Sequence, residues 1–451
     1  MIGSWWKWRR DDAGRVPVMP ARSIWIGALV LLVVAAVSMW ALMALYGGGS
    51  PQDKVQLEII KLAGGIVVGT GGAAALLLAA RRQRSTELQL AQNERDLAQK
   101  QRAADDARHD AVERRITELY ASAAEQLGSD KAPVRLAALY ALERLGQDNP
   151  GHRQTVVDLL CAYLRMPFTT PAETDGEQDA HRQESQVRLT AQRLLTAHLR
   201  RGAEDGKFWA DVDLDLTRAA LVDWDMAGCR VRSASFDGTV FSGEATFARV
   251  VFRGAASFSG ARFHDAVSFG GAHFHDVTQF SQAEFGGVAS FRTAEFDDMA
   301  RFVETVFREP ASFAEGKFGG TASFRQVVFH SAVSYREVVF GGAASFSAAE
   351  FNDGASFAGA RFQASASFGG SRFAGTTSFR EAEFHDAAWF DQAVLGEPDF
   401  AEARIFASDW VADQDWLRRL PAWQLTATDG EDRDEQQRGW HRFVRAEPAT
   451  D

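Results

Sequence analysis

Phenylalanine recurs from Phe236 to Phe390 at spacings that alternate strictly between five and six residues: Phe236, Phe241, Phe247, Phe252, Phe258, Phe263 and onward to Phe379, Phe384 and Phe390, with Tyr335 the single substitute. The run holds 29 aromatic positions in 14 copies of an eleven-residue unit. A helix buries every third or fourth residue and a strand every second, so this spacing fits neither. It fits a solenoid, in which each short segment turns one corner and points one large side chain inward. A small residue usually stands two places before the aromatic, as in Ala261-Arg262-Phe263 and Ala294-Glu295-Phe296. Period-two alternation puts both on the inner side. Gly, Ala, Ser, Asp, Arg, Glu and His fill the remaining positions and suit tight turns and a solvated outer wall.

This pattern resembles the pentapeptide-repeat family, whose consensus is A-x-[LF]-x-x. The resemblance begins ahead of the phenylalanines, at Leu216, Leu221, Met226 and Val231, each five residues apart, and covers residues 212–406. It implies a right-handed, quadrilateral parallel β-helix with one consensus unit per side. The six-residue steps add one residue at every second side, so that a coil takes 22 residues, and we expect the extra residue as a bulge. Coils stacked at about 4.8 Å would make a rod roughly 34 Å long over the phenylalanine run. At roughly 1.5–3 kcal/mol per buried ring, the aromatics would supply the main driving force for folding.

The N-terminal part reads differently. Residues 1–22 carry Trp5, Trp6 and Trp8 beside Lys7, Arg9 and Arg10, a composition that a membrane–water interface selects. Ile24–Tyr46 and Leu62–Ala80 are free of charge and long enough to cross a bilayer core. A cleaved signal peptide has a shorter apolar run and no second one. We therefore expect a two-span transmembrane hairpin over residues 23–80, with a turn-rich connector at 47–61. Basic flanks at both outer ends would place both termini in the cytoplasm, making this a multi-pass protein of the cell membrane. Gly65 and Gly69 have the spacing that lets helices, or two hairpins, pack closely. Gly69-Thr70-Gly71-Gly72-Ala73-Ala74 imitates a dinucleotide-binding turn but lacks the strand–helix–strand context, so no cofactor is expected.

Residues 81–127 contain neither Gly nor Pro and favour one long stalk helix. Leu90, Leu97, Ala104 and Ala111 keep a seven-residue interval with polar partners, a weak coiled-coil pattern that leaves self-association through stalk or hairpin open. Residues 128–206 read as a helical module of three helices. In the first, Asp130 would be the cap and Gly146 the end; the second follows Pro150. A polar linker over 167–183 precedes the third, marked by Val187, Leu189, Leu194, Leu195 and Leu199. Tyr120–Met166, with Gln126-Leu127-Gly128-Ser129-Asp130 and Cys161-Ala162-Tyr163-Leu164-Arg165, resembles the cytoplasmic helical module of membrane-anchored pentapeptide-repeat proteins from high-GC bacteria. Its expected role is to cover the open first coil of the β-helix, residues 207–406, whose strand edges need a partner. In residues 407–451, Trp410, Trp416, Leu417, Leu420, Trp423 and Leu425 suit a cap over the last coil, a partner-binding surface being the alternative. Beyond Asp429 only Trp440 and Phe443 are expected to be held. The fold class is thus α + β.

The net charge of −11 argues against nucleic-acid binding through a basic face. Cys161 and Cys229 fall in different expected domains, which excludes a disulfide framework. No P-loop, HExxH, paired CxxC or nucleophile elbow occurs. His273 and His275 flank Phe274 and should point outward. With a 22-residue coil the stacked neighbours of His264 and His275 are Gly286 and Asp297, so no ladder of ligands forms and the histidines read as solvated wall. Asp297-Asp298, and Glu381 with Glu383, lack a partner acid, base or pocket. No catalytic, cofactor-binding or metal residue is assigned, and an enzyme is not expected. The expected function is a membrane-tethered scaffold whose rigid β-helix presents a surface to an unknown protein partner. The alternative is an acidic DNA mimic that binds a topoisomerase such as gyrase, as soluble pentapeptide-repeat proteins do. Between Phe236 and Phe406 there are 21 acidic and 13 basic residues. A mimic needs one continuous acidic face, whereas a scaffold tolerates a patchwork.

Overall fold

The computed structural model describes residues 51–168, 175–202, 206–408, 423–427 and 438–446, with a few scattered positions between 26 and 44. Two compact units, Met1–Asp110 and Ala111–Asp451, make up the chain. Helix α1 spans Pro51–Leu127, α2 Ala132–Asp148, α3 Arg153–Arg165 and α4 Asp175–Leu199. All strands follow these helices.

The transmembrane hairpin expected over residues 23–80 is not supported. Among the described residues no helix is long and apolar enough to cross a membrane. The connector expected at 47–61 is helical from Pro51, so it is part of α1 and not a turn joining two spans. Freedom from charge, the basis of the expectation, is weaker than sustained hydrophobicity. Within Leu62–Ala80, Gly64, Gly65, Gly69, Gly71 and Gly72 contribute no apolar side chain. The placement as a multi-pass protein of the cell membrane falls with the hairpin. Residues 1–22 and most of Ile24–Tyr46 lie outside the described residues, as do Trp410, Trp416, Leu417 and Leu420.

The helical module also differs in detail. Lys131, not Asp130, stands at the N-terminal boundary of α2, and it makes no side-chain cap. Gly146 lies inside that helix. Its role is spatial, because a Cβ there would come within 2.7 Å of the Trp209 ring. The linker expected over 167–183 is helical from Asp175.

From Leu214 onward the chain winds through four parallel walls. The first wall has nine strands, from Leu214–Asp215 to Ala388–Trp389, and the second has eight, from Ala220–Val222 to Arg372–Phe373. The third has seven, from Ala245–Thr246 to Thr377–Ser378, and the fourth starts at Arg230–Val231. Each strand pairs with those one coil before and after it, as Val267 does with Ala245 and Ala289. The coil is therefore 22 residues. At the N-terminal end the step is shorter, Leu214 pairing with Ala234, which matches the five-residue spacing of Leu216, Leu221, Met226 and Val231. At the other end Glu383 pairs with Arg404.

The extra residue sits in alternate corners and not as a bulge. A bulge would set two residues opposite one, whereas the ladders between these coils pair one to one. Corners leaving the first and third walls are tight turns closed by i→i+3 hydrogen bonds, such as Thr239 N to Phe236 O and Ala261 N to Phe258 O, both 3.1 Å. The residue two places after the aromatic takes positive φ there: glycine at 238 and 260, but Gln282, Glu304 and Glu315 further on. The corners leaving the second and fourth walls spend the added residue in a wider bend.

Inside, the rings form four columns, and all 29 are buried. Successive rings in a column stack nearly parallel, as Phe269 and Phe291 do at 4.8 Å and 4°. Rings from the first and third walls meet edge to face across the axis, Phe280 and Phe291 at 5.4 Å and 89°. Both geometries suit the quadrupole of the ring. Tyr335 occupies a phenylalanine position between Phe313 and Phe357. Its hydroxyl is buried without a hydrogen-bond partner, and full burial pushes its pKa well above the ordinary value.

The two ends close in different ways. At the first coil, Gln154 of α3 donates to Asp213 O and accepts from Asp213 N, both at 2.9 Å. Gln192 of α4 does the same for Val222, at 2.7 and 3.2 Å. Each side-chain amide takes the place of a peptide unit on an open strand edge. Trp209 stacks on His198 at 4.2 Å and donates to Gln147. At the last coil, Arg404–Ser408 continues the fourth wall and pairs antiparallel with Arg438–Arg445, which pairs in turn with Trp423–Ala427. Phe443 stacks on Phe400 at 4.6 Å, and Trp423 meets the same ring edge-on. Residues 438–445, expected to be loose apart from Trp440 and Phe443, form a strand throughout.

Candidate functional site

The four walls carry two kinds of outward residue, and opposite walls are alike. On the first and third walls the strands read mostly Ala-Ser, with Ala buried and Ser half-buried. On the second and fourth walls the outward residue before each Phe is Glu, Arg, Lys, His or Val.

Charges on the second and fourth walls alternate down the ladder. Glu284 pairs in register with Arg262, Glu350 with Arg372, Glu295 with Lys317, and Glu383 with both Arg361 and Arg404. Many of these pairs touch: Lys317 Nζ lies 2.8 Å from Glu295 and Arg404 2.8 Å from Glu383. Partial burial pushes the Glu383 carboxyl up, but Arg404, His385 and Arg361 outweigh it and hold the group below the ordinary range. At the corners Arg292 meets Glu315, and Arg380 lies 3.5 Å from Glu402. The described walls therefore form a patchwork. Among the described residues the continuous acidic face that DNA mimicry requires is not formed.

The third wall is an open trough. One depression of about 900 Å³ is lined by Ser290, Ser312, Ser334, Ser356 and Ser378, with Glu397 and Asp399 at its far end. A second, of about 680 Å³, continues it past Val288 to Asp223, Asp225 and Glu244. Val288 is 52% exposed. The trough is floored by small side chains that leave the strands bare, and acids stand at its two ends.

On the fourth wall His273 and His275 point outward on either side of buried Phe274. Asp297 stands one coil on, the stacked neighbour of His275. His275 Nδ1 lies 2.7 Å from Asp297 Oδ2, and His273 Nε2 lies 3.0 Å from both carboxylate oxygens. Partial burial raises the Asp297 pKa, but the hydrogen bonds from both imidazoles outweigh this and leave the carboxyl below its ordinary range. Stacking by register brings His275 to Asp297. The diagonal reach of His273 depends on side-chain torsions and had no sequence mark. His264 does not join this cluster. Of the carboxylates read as solvated wall, Asp298 accepts from the amide of Met299, Glu381 contacts Arg380, and Asp297 and Glu383 are engaged as described above.

The buried thiols are inert. Cys161 and Cys229 are free, and burial pushes each thiol up to about 12, far from the thiolate that reacts.

No curated protein and no solved structure matches the chain significantly. The family described as "Pentapeptide repeats (9 copies)" matches residues 236–283 and 324–372, which lie within the ring-stacked coils. With the 22-residue coil, the four walls and the inward aromatics in hand, the coiled region of this chain is a pentapeptide-repeat β-helix.

Proposed function

We propose that this protein is a non-enzymatic scaffold and that the trough of the third wall is the surface on which a protein partner docks. Pentapeptide-repeat proteins are in general scaffolds without catalytic activity, and a solenoid holds surface groups at fixed intervals, which favours recognition. The observation that carries the reading is the trough itself. Its column of serine hydroxyls offers hydrogen bonds at the coil repeat, and its small side chains admit an extended or helical segment close to the backbone. The first wall has the same Ala-Ser strands but ends in Trp389, which is 43% exposed.

The test places a photo-crosslinking residue at Ser312 or Ser334 on the third wall, and at Ser323 or Ser345 on the first, in cells of the native host. Adducts of one defined mass from the third wall alone support the reading. Adducts from both walls equally, or from neither, overturn it. A mimic of DNA would instead cross-link to a topoisomerase through acidic positions. The patchwork of ion pairs gives that reading no support.

A further inference from the structure

We propose that His273, His275 and Asp297 form a binding site for a divalent transition-metal ion of the zinc type. Two imidazoles and one carboxylate make a donor set that such ions take, with an outward position left for water. The ligand atoms, one from each residue, lie within 4.8 Å of one another. An ion with bonds of about 2.0–2.2 Å needs only a small opening of these exposed rotamers.

What separates this trio from ordinary surface histidines is the rigidity beneath it. Phe274 between the histidines is buried and stacked on Phe252 and Phe296. The backbone is pinned on both sides, with His275 N donating to Phe252 O at 3.0 Å and Asp297 N to Phe274 O at 2.8 Å. The spacing between the backbones that carry the ligands is thus set by the ladder of the wall, and only side-chain torsions remain to be ordered on binding. Glu295 lies 3.9 Å from His273 Nε2 and is held by Lys317, so it stands as an outer partner. On binding, His273 Nε2 and His275 Nδ1 each present a lone pair to the ion, so each neutral ring carries its single proton on the other nitrogen, and any second proton on a ring is released to solvent.

The experiment is an equilibrium titration of the untagged full chain with zinc chloride, repeated with cobalt(II), whose visible absorption reports coordination geometry. The expected result is one equivalent bound at free zinc on the order of 10 µM, absent from the H273A/H275A double variant. Asp297→Asn should weaken binding by more than the roughly 10–100-fold that losing an outer partner costs. His385→Ala, altering another histidine of the same wall, should leave the stoichiometry unchanged. Circular dichroism checks that each variant keeps its fold. A double variant that holds as much metal as the parent overturns the site. So does a parent that binds none at that concentration, which would leave a hydrogen-bonded trio only.

Discussion

The first and last coils face the same problem and solve it with different chemistry. An open solenoid end exposes peptide groups along strand edges and the flat face of its core. At the N-terminal end the core tapers from rings to Leu216, Leu221, Met226 and Val231, all buried. Helices cover it, and helices have no free peptide edge to offer, so Gln154 and Gln192 supply amides from their side chains. At the C-terminal end the core is still a ring, Phe400, and the cover is a pair of strands that supply main-chain hydrogen bonds and one more ring, Phe443. The residue that ends a column therefore dictates the kind of cap that fits it. Aliphatic side chains accept the ridges of a helix, and a ring accepts another ring.

Experiments of decreasing expected effect break or sharpen this contrast. The largest effect should come from a ring in mid-column: Phe291→Ala leaves a cavity between Phe269 and Phe313 and should cost about 3–5 kcal/mol in denaturant unfolding. Phe443→Ala, stacked among the described residues on Phe400 alone, should cost less; an equal loss would mean that the cap is as cooperative as the shaft. Gly146→Ala should cost about 1–3 kcal/mol by pushing α2 away from Trp209, and the loss should appear as earlier exchange of amides in the first coil. Gln154→Ala or Gln192→Ala should each cost about 1–2 kcal/mol, since two backbone groups lose their partners. A null result for both, in the same unfolding assay, would remove the amides from the account of the N-terminal end.

Tyr335→Phe, far from either cap, should stabilise the shaft by about 1 kcal/mol, because the buried hydroxyl has no partner. The smallest effect concerns Asp213, whose carboxyl is held below the ordinary range by the hydrogen bonds of Arg232, although partial burial opposes them. A group with a depressed folded pKa adds stability above its unfolded value, about 3.9, and that stability is lost as pH falls through the folded pKa. Melting temperature followed from pH 6 downward should therefore drop less in Asp213→Asn than in the parent.

Most of the β-helix was legible because its pattern is local: one ring for each wall, and one small residue to let the chain pass. The place of the added residue was not, since spacing counts residues without saying whether a strand or a corner takes them. Gly146 misled for a related reason. Its neighbours in sequence suggest a helix end, while its function depends on Trp209, which is distant in the chain. Gln154, Gln192 and the reach of His273 toward Asp297 belong to the same class, contacts between segments that carry no periodic mark. The transmembrane expectation failed differently: it was read from uncharged runs, and no helix among the described residues is long and apolar enough to cross a membrane.

The constant register has a consequence for how such a gene can change. Removal of one whole coil, for example residues 267–288, would rejoin Ala266 to Ala289 with every wall still facing its own continuation. Loss of one residue more or fewer would turn hydroxyls toward the axis and rings toward water. The shaft is in effect a gauge with fixed graduations: recombination can lengthen or shorten it in unit steps, and the distance between its two dissimilar ends becomes a quantity that selection can adjust without redesigning either one.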